Sequence, residues 1–317
     1  MGMYCFGIDV GGTSVKCGLF LTNGTLVEQW EIPTRLENNG SSILPDVADA
    51  IKTKLDERGI TKDNVDGVGI GIPGPVNENG EVPMAVNLHW GFKAVASELS
   101  ALTGLPAKAA NDANIAALGE AWKGAAEGSK NVILVTLGTG VGSGIVVDGK
   151  IVYGSDGFAG ELGHFVIDHS ENGRSCGCGR KGCLETYTSA TGVARTAREM
   201  LEKRSTPSLL REMNPQDITS YDVFKAAEKG DEIALEVFNF TGKILGTACA
   251  DFTTFNTPEA FVFFGGLTKA GDYLMKPLCK AYEENTLSIF KGKTKLLISA
   301  LNGSEAAVLG ASALGWE

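Results

Sequence analysis

YCFGIDVGGTSVKCGLFLTNGTLVEQWEI (residues 4–32) and NVILVTLGTGVGSGIVVDGKIVYG (residues 131–154) share one plan. In the first, YCFGID reads as a strand, GGT as a glycine loop, VKCGLFL as a second strand, Asn23-Gly24 as a type I′ hairpin turn and TLVEQWEI as a third strand. In the second, NVILVTL, GTGVG, SGIVV, Asp148-Gly149 and KIVYG follow in the same order. Gly12 to Gly24 and Gly138 to Gly149 are almost equal separations, so the segments read as two copies of one supersecondary unit. The chain is therefore expected to contain two related α/β halves.

Around these copies, helical spacing of apolar residues runs over 92–103, 112–125, 189–204, 220–229, 231–255, 268–285 and 304–315. A further amphipathic stretch, SSILPDVADAIKTKLDERG, precedes the short buried strand of DGVGIGIPGPV. Strand-like runs recur near 106–109, 260–264 and 295–299, so strands and helices mix in both halves and α/β layers are expected. The polar stretch 203–219 reads as a surface excursion.

A chain of 317 residues suits two domains of roughly 100–200 residues each. Its formal net charge of −10 argues against nucleic acid and anionic membrane surfaces as partners, and no block of five basic residues offsets it. The start, MGMYCFGIDVGGT, has no charged leader and reaches Asp9 at once, and no apolar run approaches the roughly 20 residues that span a bilayer. A cytoplasmic location is expected, where cysteines are thiols or metal ligands. Four of them, Cys5, Cys17, Cys249 and Cys279, stand singly in apolar or helical contexts and read as small buried hydrophobes.

Neither glycine loop is a dinucleotide fingerprint, because Ser143 occupies the third glycine position after Gly138 and Gly140. Gly292-Lys293-Thr294 is not a Walker loop, because the glycine required upstream is Leu287. What the paired loops offer is bare backbone N–H groups around phosphate oxygens, with the hydroxyls of Thr13 and Thr139 beside them. Asp9 ends the first strand where a carboxylate can hold Mg²⁺, and Gly265-Gly266 follows a buried strand at a place suited to a base and ribose.

In KAANDANIAALGEAW, Asn111 and Asp112 stand between a short strand and an alanine-rich helix. Both are preferred N-caps, which accounts for one of them. A carboxylate at this junction is also suited to accept the proton of a hydroxyl that attacks a γ-phosphate. Both readings stand at this point.

Cys176, Cys178 and Cys183, with His164 or His169, make a Cys₃His set of the kind that holds structural zinc. The absence of a C-x-x-C pair argues against a redox role. Glu161 and Glu185 flank this cluster, so a closed metal site there would fix two carboxylates suited to sugar hydroxyls.

DVGGTSVK (9–16), GIPGPV (71–76), AVNLHW (85–90), NDAN (111–114), LGTGVGSGIVVDGKI (137–151), AGELGH (159–164), CGCGRKGCLE (176–185) and FFGGL (263–267) together resemble the ROK family of repressors, open reading frames and sugar kinases. The resemblance runs through nearly the whole chain and is nearest the family's bacterial glucokinase branch. It implies a two-lobed, duplicated actin/hexokinase-like (ribonuclease H-like) α/β fold with an interlobe cleft. The expected lobes are 1–115 joined by a C-terminal helix 303–317, and 116–302 with the zinc-binding loop.

The resemblance further implies that Asp112 is the catalytic base. Gly74, Asn87, Asn111, Asp112, Glu161, His164 and Glu185 would bind the sugar. Asp9, Gly11, Gly12, Thr13, Lys16, Gly138, Thr139, Gly140, Gly265 and Gly266 would bind Mg²⁺-ATP, Lys16 without a derived role. Zn²⁺ would be held by His164, Cys176, Cys178 and Cys183, and the assembly would be a homodimer or homotetramer.

The implied reaction, a step of glycolysis and carbohydrate metabolism, is ATP-dependent phosphorylation of a hexose 6-hydroxyl, glucose first. N-acetylmannosamine, N-acetylglucosamine, allose and fructose are alternative substrates. A sugar-responsive repressor is disfavoured, because the first strand begins near residue 4 and the charge is acidic. A non-catalytic regulator is disfavoured by the intact NDAN and glycine loops.

Overall fold

The computed structural model of the chain describes residues 2–301 and 303–316. The range ends Met1, Asn302 and Glu317 of the expected lobes lie outside the described residues. Two compact units are formed, one from Met1–Leu134, Gly144–Gly160 and Ser299–Glu317, the other from Val135–Ser143 and Glu161–Ile298.

The first unit is built on β1 (Tyr4–Val10), β2 (Ser14–Leu21), β3 (Leu26–Pro33), β4 (Val65–Ile72) and β5 (Ala107–Asn111), in the order β3-β2-β1-β4-β5. The glycine-punctuated β1, β2 and β3 pair antiparallel, whereas β4 and β5 continue parallel beside β1. Parallel neighbours need crossovers, supplied by α1 (Glu37–Gly40), α2 (Ile43–Arg58) and α3 (Val95–Thr103); α4 (Asp112–Lys123) follows β5. The apolar residues of α2 at helical spacing, Ile43, Leu44, Val47, Ile51 and Leu55, are buried in one core with Phe6, Ile8, Ile70 and Ile72.

Strands β6 (Val132–Leu137), β7 (Val141–Val147) and β8 (Lys150–Ile151) follow, and the second sheet has the order β10-β9-β6-β7-β8 with β9 (Ala260–Phe264) and β10 (Lys295–Ile298). Matching β6, β7, β8, β9 and β10 to β1, β2, β3, β4 and β5 gives the same strand order, the topological counterpart of the repeated glycine hairpin. The second unit adds α5 (Glu185–Thr188), α6 (Ala190–Lys203), α7 (Ser220–Glu228), α8 (Glu232–Asn256) and α9 (Asp272–Asn285).

The chain then returns to the first unit in α10 (Gly303–Trp316). Two glycines make this return possible. A Cβ on Gly69 of β4 would strike the carbonyl of Ala311, and one on Gly310 would strike that of Ile115 in α4. Glycine at these points lets α10 lie against sheet and helix backbone at once.

Three local expectations are corrected. The loop at Asn23-Gly24 is not type I′, since Gly24 has φ +90° while Asn23 is absent from the positive-φ residues. Gly24 donates to Leu21 O and Asn23 Oδ1 accepts from Thr25 N–H, a three-residue loop of type I with a left-handed glycine. Asp148 and Gly149, with φ 51° and 80°, do form the type I′ turn. Helix α3 starts at Val95 rather than 92, because Lys93 is engaged in a bridge to Val82. The helix expected over 268–285 is broken at Gly271 (φ 54°, ψ −127°), which separates a 3₁₀ turn from α9.

Candidate functional site

The candidate residues form two sets, one in each unit. In the first unit Asp9 is the penultimate residue of β1, in register with Lys16 on β2 and Gly71 on β4. Gly11 donates to Ser14 O at 2.9 Å, closing a tight loop that leaves Gly12 and Thr13 exposed. Burial, then the charge of Asp112, raises the Asp9 carboxyl to about 6, with Lys16 acting in the opposite direction. Lys16 thus acquires an electrostatic role that its sequence position did not reveal.

The junction of β5 and α4 separates the two readings of Asn111 and Asp112. Asn111 is the N-cap: its Oδ1 accepts from Ala113 N–H at 2.9 Å and Asn114 N–H at 3.4 Å. Its Nδ2 donates to Gly74 O at 3.0 Å, binding the GIPGPV loop to the same helix start. Asp112 is in the first helical turn and exposed, with Oδ1 accepting from Ala113 N–H at 2.8 Å. The space beside Gly74 is bordered by Met84 and Ala85, so the loop leading to Asn87 adjoins it. Asn87 itself is exposed on a 3₁₀ turn.

In the second unit the Gly138-Thr139-Gly140 loop between β6 and β7 is tied to α6 twice. Ala190 N–H donates to Gly138 O at 2.8 Å, and Thr191 Oγ1 donates to Thr139 O at 2.8 Å. Gly265, at φ 114°, lies so close to Leu137 that a Cβ would stand 2.5 Å from its carbonyl oxygen. A pocket of about 400 Å³ opens here, lined by Gly138, Thr139, Tyr221, Phe224, Gly266 and Leu267 among others. Sequence reading passed over Thr191, Tyr221 and Phe224; the signal for the last two was the Thr219-x-x-Asp222 capping box that places α7.

The cysteine segment folds back on the extended segment before it through an isolated bridge. Val166 bridges Cys183, Leu184 N–H donates to Phe165 O at 2.8 Å, and Arg180 Nη2 donates to His164 O at 2.9 Å. Ligand atoms of His164, Cys176, Cys178 and Cys183 all lie within 4.8 Å of one another, and His169 is not in this cluster. Cys178 Sγ is 3.7 Å from Cys183 Sγ, and Cys176 Sγ is 3.6 Å from His164 Nδ1. Tetrahedral zinc with its usual bond lengths puts sulfurs about 3.8 Å apart and sulfur and nitrogen about 3.5 Å apart, so these residues fit a metal ion. Without one, the Arg180 backbone and side chain lower the Cys178 thiol to about 6, while burial pushes Cys176 up to about 12.

Glu185 begins α5 next to this cluster. Its Oε1 accepts from the Cys176 thiol at 3.0 Å and lies 3.7 Å from His164 Nδ1, and its Oε2 stands 2.8 Å from where a Cβ on Gly140 would be. Glu161 is exposed just before the 3₁₀ turn Leu162–His164 and accepts from His164 N–H at 3.0 Å through its carbonyl. Among the described residues no helix is long and apolar enough to cross a membrane.

Known proteins resemble the chain along nearly its whole length. The chain is 41% identical over 312 residues to a glucokinase of Halalkalibacterium halodurans, covering 98% of this chain and 93% of that one. It is 33% identical to a glucokinase of Thermotoga maritima, covering 97% and 96%. It superposes with TM-score 0.70 and 30% identity on a glucokinase of Streptomyces griseus solved with glucose and AMPPNP, covering 98% and 99%. Two five-stranded sheets of one strand order agree with the actin/hexokinase-like fold of these sugar kinases. The family match spans residues 5–317, from the first strand to the chain end, and the chain belongs to the ROK family.

Proposed function

We propose that the chain is an ATP-dependent hexose kinase that transfers the γ-phosphoryl group of Mg²⁺-ATP to the 6-hydroxyl of glucose. The observation that carries this reading is the division of labour at the start of α4: Asn111 caps the helix and holds Gly74, so capping does not explain Asp112. Asp112 takes the proton of the attacking hydroxyl as general base. Phosphoryl transfer otherwise asks for positioning and charge neutralisation. Asp9 holds the magnesium that arrives with ATP, Gly11, Gly12, Thr13, Gly138, Thr139 and Gly140 cradle phosphate oxygens, and Lys16 tempers the charge of Asp9. Gly265 and Gly266 border the nucleoside, whose base stacks in the pocket of Tyr221 and Phe224.

Gly74, Asn87, Asn111, Glu161, His164 and Glu185 hold sugar hydroxyls. Zinc, held by His164, Cys176, Cys178 and Cys183, would supply a structural cross-link and no chemistry. If His164 meets the metal through Nδ1, the atom near Cys176, its Nε2 is left to face a hydroxyl. Glucose is favoured over N-acetylated hexoses, allose and fructose by the glucokinase relatives and the AVNLHW motif. The protein acts in the cytoplasm on a glycolytic substrate and works as a homodimer or homotetramer.

A coupled assay of ADP release over a hexose panel tests this reading. Wild type is expected to turn over glucose best. Asp112→Ala and Asp112→Asn are expected to lose at least about 10²-fold in kcat. No turnover with any hexose sinks the kinase, and full turnover in either variant removes Asp112 as base.

A further inference from the structure

Arg174 stands two residues before the cysteines, yet only 6% of it is exposed. Its guanidinium donates through Nη1 to Thr186 O at 2.8 Å, and through Nη2 to Thr196 Oγ1 at 2.9 Å and Glu199 Oε2 at 2.6 Å. It lies 4.5 Å from the centre of the Tyr187 ring and 6.0 Å from that of Phe240. The Arg174 main chain joins the same cage: its N–H donates to Tyr187 Oη at 3.1 Å, and its carbonyl accepts from Gly182 N–H at 2.8 Å. Tyr187 Oη in turn donates to Asp168 Oδ2 at 2.8 Å. Burial pushes the Glu199 carboxyl up, but hydrogen bonds from Arg174 and Arg195 outweigh it and the net direction is down.

A buried guanidinium is costly unless its donors are satisfied, so this cage is held to one geometry. What it grips is α5. That helix has four residues and no side-chain cap, too little to order itself. Thr186 and Tyr187, both held by Arg174, directly follow Glu185.

We propose that Arg174 is a positioning residue for Glu185, aiming that carboxylate at the sugar by gripping Thr186 and Tyr187, the two residues that follow it, while the cysteine cluster holds the chain before it. The proposal rests on the kinase reading only for the word sugar; the placement of Glu185 is a separate matter. The cage fixes the α5 backbone through Thr186 O, and the half-buried Glu185 side chain then has Cys176 and Gly140 as its neighbours. Lysine keeps the charge but cannot reach Thr186, Thr196 and Glu199 together.

The test compares Arg174→Lys and Glu199→Gln with wild type, and Arg174→Ala where it folds. Metal content, amide deuterium exchange over 185–189, and KM for glucose and ATP are measured. The expected result is unchanged metal content, faster exchange over 185–189, and a glucose KM raised about tenfold with kcat and ATP KM nearly unchanged, the signature of lost uniform binding. Wild-type exchange and wild-type glucose KM in both conservative variants overturn the proposal. So do equal losses in kcat and both KM values, which mark a general scaffold. If wild type phosphorylates no hexose, the kinase reading fails on its own, and exchange over 185–189 still decides whether Arg174 holds Glu185.

Discussion

Asn111 donates its side-chain amide to the carbonyl of Gly74 at 3.0 Å while the other end of the same side chain caps α4. One residue therefore sets both the helix that presents Asp112 and the loop of GIPGPV. The two duties separate by substitution. Asn111→Ser keeps a capping oxygen, but its shorter hydroxyl cannot reach Gly74 O while it caps, whereas Asn111→Ala removes both bonds. Alanine is expected to cost about 1 kcal/mol of stability, read as a lower urea midpoint, and serine only a few tenths. Sugar KM should rise in both; a serine variant with wild-type KM would refute the role of the Gly74 bond.

With Asp9 in its proposed place beside the magnesium, magnesium use is expected to depend on pH. Burial and Asp112 raise its carboxyl to about 6, so it is ionised at pH 7 and increasingly protonated below 6. Apparent magnesium affinity at fixed ATP should fall by up to roughly tenfold per pH unit below that point, and Asp9→Asn should flatten the profile at a uniformly weak level. For stability the sign is opposite to that of a salt-bridged acid. A raised folded-state value means stability present below about 4 and lost as pH rises to about 6. Asp9→Asn should therefore be the more stable protein at pH 7, by thermal melting without nucleotide.

The repeated hairpins were legible because alternating apolar runs and glycine punctuation are local signals, and two copies reinforce each other. The misjudged ends were set from far away. Lys93 leaves the helix for Val82, and no periodicity announces that pairing. Asn23-Gly24 reads as a type I′ hairpin turn, yet the Asn23 side chain captures Thr25 N–H and keeps Asn23 out of the left-handed region. At the site, residue types carried the reading of Asp9, Asp112 and the cysteines. Arg174 was missed because an arginine beside glycine and serine resembles a solvated charge. Its burial depends on Thr186, Thr196, Glu199 and Phe240, which only folding assembles.

The cysteine cluster offers a clean separation of metal effects from packing effects, because Cys178 is exposed and its truncation leaves no cavity. Purified protein is expected to hold about one zinc per chain. Cys178→Ala should lose most of it and melt at the temperature of chelator-stripped wild type. Stripping the variant further should then change nothing. A zinc-free wild type with the same melting temperature and glucose KM as the loaded protein would remove the metal from the account of this site.

The glycines under α10 predict where the first unit is least tolerant of change. Gly69 carries no positive φ, so alanine there meets no backbone strain; the obstacle is the carbonyl of Ala311, which a Cβ would strike. Backbone cannot step aside as a side-chain tip can, so α10 must shift away from β4 or the variant must lose stability. Overpacking of this kind costs typically about 1–3 kcal/mol. At Gly12, where nothing lies within 4 Å of an added Cβ, alanine should leave the urea midpoint unchanged while weakening ATP binding. The pair distinguishes glycine kept for packing from glycine kept for ligand approach. A Gly69→Ala protein as stable as wild type, or a Gly12→Ala protein with an unchanged ATP KM, would overturn that assignment at its position.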